Sequence, residues 1–160
     1  MKCFVYGSNL DGDNTRQAHG IVAFAVPDIG LMFKSGFIGS QTECEYMSLL
    51  TFLRFVEQNP KAFADSRLDI LSDAAAMVYQ LSGKAPSTSL ADKYIPLVKH
   101  FQKKLNFSVY WIPQNNNPAL EGLYDLPPLK SAPPINTQIA DPPTLKKKTI
   151  DLKRGRHFGI

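Results

Sequence analysis

Basic side chains offer the plainest chemistry in this sequence. Between residues 146 and 157 stand Lys146, Lys147, Lys148, Lys153, Arg154 and Arg156 against the single acid Asp151, a local charge of +5 in a chain whose total is +4. The remainder is therefore close to −1, and the basic character belongs to one terminal stretch. Such a stretch is suited to phosphates or to an acidic protein surface. Lys99, His100, Lys103 and Lys104 form a second, smaller cluster, which reads equally as a solvated helix face or as a phosphate contact. His19, His100 and His157 are scattered without metal-ligand spacing, so no zinc or acid/base role follows for them. Asp11 and Asp13 sit among Gly and Asn, where acids are commonly turn formers. Cys3 and Cys44 fall in apolar segments and read as buried thiols of a reducing compartment. Trp111, in an aromatic run near the end of the patterned region, reads as core.

The elements that must position these residues follow from periodicity. Residues 2 to 8 are rich in β-formers and run into the Asn, Asp and Gly cluster of a hairpin. Residues 19 to 26 are a second apolar strand closed by Pro27, and 31 to 38 a third after the Asp28-Ile29-Gly30 turn. Thr42 is placed to cap a helix through Gln58, with Tyr46, Leu49, Leu50, Leu53 and Val56 at helical spacing before Asn59-Pro60 stops it. Leu68, Ile70 and Leu71 make a buried strand ending at Ser72-Asp73, so that an acid stands at a strand-to-helix junction. A short helix follows, stopped by Ser82-Gly83. A further helix from about Ala91 to Leu105 is expected to carry Tyr94, Leu97, Val98, Phe101 and Leu105 inward, and 107 to 113 is a last strand. The order βββαβααβ is that of a mixed α/β sheet flanked by helices. Repeated prolines beyond this point forbid regular helix or sheet. The pattern therefore predicts one domain over 1 to 125 and an extended, Pro-rich, basic tail over 126 to 160. With 44% hydrophobic residues the chain can bury a core of its own. No stretch approaches a membrane span, and the first residues do not form a signal or transit peptide, so an intracellular site, cytoplasmic or organellar matrix, is expected.

Element order and acid positions together resemble ribonuclease H, in particular its compact type, over roughly residues 2 to 124. Where that family carries Tyr-Thr-Asp-Gly-Ser at the end of its first strand, this chain has Phe4-Val5-Tyr6-Gly7-Ser8, keeping the Gly-Ser and placing Tyr6 where the aspartate belongs. The family's Ala-Glu-Tyr helix motif looks like Cys44-Glu45-Tyr46. Its Asp-Ser-Gln segment, apolar helix and Gln-Leu-x-Gly look like Asp73-Ala74-Ala75 and Gln80-Leu81-Ser82-Gly83. Its closing Pro-x-x-x-Asn and acidic motif resembles Pro113 through Asn117 and on to Leu120-Glu121-Gly122-Leu123.

This resemblance implies a five-stranded mixed sheet with the first strand central, and Glu45, Asp73 and Glu121 converging beside Tyr6 as the remnant of an acidic site. Two-metal phosphodiester cleavage holds its ions about 4 Å apart on several carboxylates, and the missing one is the residue expected to touch both ions. A neutral phenol cannot replace it, so the implied Mg²⁺ or Mn²⁺ site is weak and cleavage impaired; Asp11 or Asp13 are the candidate substitutes. Ala74 and Ala75 replace the small polar residues expected to touch the minor groove of a hybrid. The implied role is a binding or scaffolding module that takes nucleic acid (an RNA/DNA hybrid or structured RNA), a larger protein or a nucleoprotein assembly through its tail. An active Mg²⁺-dependent ribonuclease and a purely protein-binding module are the alternatives.

Overall fold

A computed structural model describes residues 1 to 11 and 18 to 121, Glu121 by its backbone. Three strands come first: β1 (Lys2–Asn9), β2 (His19–Val26) and β3 (Leu31–Ile38). They form an antiparallel meander, with Tyr6 opposite Ala23 and Phe24 opposite Phe33. The β2–β3 connection is a single 3-10 turn over Pro27–Ile29, closed by Gly30, whose φ of 61° is costless without a Cβ. Helix α1 (Gln41–Gln58) then crosses to β4 (Leu68–Ser72), which pairs in parallel with the free side of β1. Helices α2 (Ala75–Leu81) and α3 (Ala91–Gln102) lead to β5 (Phe107–Trp111), parallel to β4, and a short α4 (Pro118–Glu121) follows. The sheet order is β3-β2-β1-β4-β5, so β1 is central and flanked by one antiparallel and one parallel neighbour.

One sheet face carries the main core. Cys3 and Val5 of β1, Phe24 of β2 and Ile70 of β4 meet Tyr46, Leu49, Phe52 and Leu53 of α1, all essentially inaccessible. Packing is closest at Gly7, where a Cβ would lie 2.1 Å from the Cys44 carbonyl oxygen, and at Gly20, where it would lie 2.3 Å from Cys44 Sγ. Glycine at both positions lets α1 lie directly on β1 and β2. The contact buries Cys44, and that burial pushes its thiol pKa up to about 12, as it does for Cys3. Both thiols are free, as packing residues should be.

Several expectations change at element ends. The N-cap of α1 is Ser40: its hydroxyl accepts from the Glu43 amide, and the Glu43 carboxylate accepts from the Ser40 amide at 2.8 Å. Thr42 therefore lies inside the first turn, because this reciprocal pair satisfies two otherwise unpaired donors where Thr42 would satisfy one. Leu97 is 50% exposed instead of core. The inward stripe of α3 runs through Ala91, Tyr94, Val98 and Phe101, and Leu97 lies about 100° round the helix from Val98. Trp111, also expected in the core, is 45% exposed. It ends an edge strand and has a neighbouring strand on one side only. Asp13, the boundary near Asp125 and the whole 126 to 160 tail lie outside the described residues.

Candidate acidic site

Four chain segments meet at the C-terminal ends of β1 and β4. Gly7, on β1, offers its carbonyl oxygen to Gln41 Nε2 at 3.2 Å, and Gln41 Nε2 also donates to Glu45 Oε1 at 2.8 Å. Gln41 and Glu45 are one helical turn apart, so their side chains stack on the same face of α1. The other end of the Gln41 amide is fixed too, its Oε1 accepting from the Asn9 backbone at 2.8 Å. Helix α1 is thus tied to the end of β1 through one amide that also orients a carboxylate.

A second amide does the same for Asp73. Asn117 is 2% exposed; its Nδ2 donates to Asp73 Oδ1 at 2.7 Å and to the Val5 carbonyl at 2.9 Å, and its Oδ1 accepts from the Ala119 amide at 3.1 Å. Asp73 follows β4 directly, and Ser72 Oγ accepts from the Ala74 amide at 3.2 Å to turn the chain into α2. Glu45 is held above the usual carboxylate range, first by burial and also by the Asp73 charge, while the Gln41 hydrogen bond pulls the other way. The two acids are therefore close enough to repel each other.

Tyr6 takes a different environment. Strand alternation points it to the sheet face opposite α1, where it is 8% exposed against Ala23, Ala25 and Ala119. Tyr6 is thus part of the contact that seats α4. Asp11 is engaged elsewhere: its Oδ2 accepts from the His19 backbone at 2.8 Å and lies 3.2 Å from His19 Nδ1. The backbone hydrogen bond chiefly, with the ring adding to it, lowers its pKa. Glu121 closes α4, but its side chain lies outside the described residues, as do Asp13, Lys146, Lys147, Lys148, Lys153, Arg154 and Arg156. Lys99 and Lys103 are exposed, and Lys104 pairs with Glu57 at 2.8 Å.

Among the described residues no group of three or more His, Cys, Asp or Glu gathers closely enough to hold a metal ion. Glu45 and Asp73, each accepting an amide N–H, are the two carboxylates that the described residues bring together here, two hard oxygen donors of the kind a divalent cation takes. Sequence alone does not assign Gln41 and Asn117 to the site. The i, i+4 spacing of Gln41 and Glu45 is the available signal for the first. Asn117 stands in the closing motif but reads there as a turn residue.

No family model matches the chain, and no curated protein matches it. Solved structures do. LC11 ribonuclease H1, determined in complex with an RNA/DNA hybrid, aligns over 74% of this chain and 91% of its own at 18% identity and a TM-score of 0.59. Ribonuclease H1 of the halophilic archaeon Halobacterium salinarum aligns over 74% and 91% at 16% identity and 0.57. The N-terminal ribonuclease H domain of a Mycobacterium tuberculosis protein aligns over 72% and 85% at 16% identity and 0.56. Identities this low speak to architecture. Superposition at TM-scores of 0.56 to 0.59 over about three quarters of its length shows that the chain has the ribonuclease H-like fold.

Proposed function

We propose that this chain is a ribonuclease H-like nucleic-acid-binding module with impaired cleavage, acting as a binding or scaffolding subunit of a nucleoprotein assembly. The observation that carries the reading is Tyr6, a side chain packed on Ala119 at the strand position where the ribonuclease H resemblance expects a bridging carboxylate. Glu45, Asp73 and Glu121 without the bridging carboxylate would leave at least one of two metal positions weak. Binding without cleavage asks less of the site, since nucleic-acid affinity comes mainly from cationic contacts to phosphate. Lys99, Lys103 and the basic tail residues are the candidates for those contacts, with Mg²⁺ or Mn²⁺ at most a weak ligand of the acidic pair.

The second reading, a working Mg²⁺-dependent ribonuclease, is favoured by one observation: Glu45 and Asp73 lie together, each oriented by an amide, as ligands of a metal would be. Incubating the protein with a labelled RNA/DNA hybrid in Mg²⁺ or Mn²⁺, beside Tyr6→Asp, separates the two. The non-cleaving reading expects retention of the hybrid in a gel shift with little product, and tighter metal binding by the variant in calorimetry. Robust wild-type cleavage that disappears in Asp73→Asn would establish the second reading instead. Absence of any retained hybrid, with association to a protein partner intact, would leave a purely protein-binding module.

A further inference from the structure

The two faces of the sheet are finished unequally. Against the α1 face, Cys3, Val5, Leu68 and Ile70 are between 0% and 2% exposed. On the opposite face the strand registers align an apolar row across the whole sheet. Met32 pairs with Ala25, Ala25 with Phe4, Phe4 with Leu71, and Leu71 with Tyr110. Among the described residues α4 packs on this face, and it does so at one end, over Tyr6, Ala23 and Ala25. Past α4 the row opens: Phe4 and Leu71 are partly exposed, Leu71 belongs to neither buried cluster, and Tyr110 is 44% exposed. The Tyr110 hydroxyl accepts from Arg67 Nη2 at 3.3 Å, and Arg67 Nε lies 3.7 Å from Asp69, so a polar border closes the open strip on one side.

We propose that residues 122 to 129 of this same chain, Gly-Leu-Tyr-Asp-Leu-Pro-Pro-Leu, lie across this strip from β1 to β5. The inference does not depend on the functional reading above. Three observations select this occupant. The chain leaves α4 already on this face, because Ala119 is 0% exposed against the sheet. The segment that follows supplies Leu123, Tyr124, Leu126 and Leu129, and four large apolar side chains in eight residues suit a surface strip better than water. The reach also fits. From β1 to β5 is two strand spacings, about 10 Å. Eight residues in an extended or polyproline conformation span about 25 Å. Pro127 and Pro128 stiffen the segment before it lands, which reduces the entropy lost on ordering it.

The test uses the full chain with the photoreactive p-benzoylphenylalanine in place of Tyr110, an exposed position that tolerates a larger ring. Irradiation followed by peptide mapping is expected to give intrachain crosslinks to residues 123 to 129. A crosslinked dimer would identify a second copy as the occupant and overturn the proposal, as would crosslinks confined to residues beyond 130 or none at all. Thermal unfolding provides an independent measure. Leu123→Ser with Leu126→Ser is expected to lower Tm by about 5 °C or more, given the usual burial of two leucines in a domain of this size. Leu145→Ser with Ile150→Ser should leave it unchanged. Equal Tm values for wild type and the first double variant would overturn the proposal.

Discussion

Glu45 sits where burial and the Asp73 charge both oppose its ionisation, while the Gln41 amide favours it, and the net effect is a raised pKa. A carboxyl whose folded pKa lies above its unfolded value binds protons more readily in the native state. Stability therefore falls as pH rises from the ordinary carboxylate value through the raised one, and is recovered on acidification through the same window. Glu45→Gln removes the ionisation and keeps an acceptor for Gln41. In urea unfolding without divalent ions this variant should be more stable than wild type at pH 7 and should lose that advantage toward pH 4. A variant less stable at pH 7 would show that the Gln41 hydrogen bond to the ionised carboxylate outweighs burial and the Asp73 charge. Legibility in the sequence is uneven at this scale. Glu45 and Asp73 can be placed because they stand in ordered motifs on adjacent elements. Gln41 and Asn117 cannot, because an amide states its partner only once the backbone carbonyls of Val5 and Gly7 are in place.

Elements are more readable than their ends. Strands β2 and β3 run over the residues that their apolar pattern marks, since Pro27 and Gly30 fix the turn between them. Helix starts depend on single hydrogen bonds. In α1 the reciprocal pair of Ser40 and Glu43 sets the first turn, so Ser40→Ala should cost about 1 kcal/mol in denaturant unfolding. Thr42→Ala, inside the helix, should stay within about 0.5 kcal/mol of wild type. Comparable losses in both would return the cap to Thr42. Leu97 and Trp111 are misjudged from sequence for a related reason. Apolar type says that a residue can be buried, whereas the helix phase and the strand's place in the sheet decide whether it is. The order β3-β2-β1-β4-β5 leaves β5 at an edge, a fact contained in pairing between distant segments and in no local pattern.

At the scale of the whole molecule, charge and fold are separable. Apart from the +5 stretch between residues 146 and 157, the chain is close to neutral, so long-range attraction to an anionic partner belongs to the tail. Removing residues 131 to 160 should leave Tm unchanged and weaken nucleic-acid retention. Every phosphate that the truncated protein fails to neutralise should flatten the log-log salt dependence by about 0.7 to 0.9. An unaltered salt slope after that truncation would assign phosphate binding to Lys99 and Lys103 on the body. The central pairing carries a consequence for how the molecule is made. Strands β1 to β3 are joined by short connections, but β1 meets β4 through Lys2 and Asp69, and nothing local brings those ends together. Closing so long a loop is slow compared with forming a hairpin. During synthesis the N-terminal meander therefore emerges with one side of β1 unpaired, an open template for any other extended chain until β4 arrives. The strand at the middle of the finished sheet begins its life as an edge.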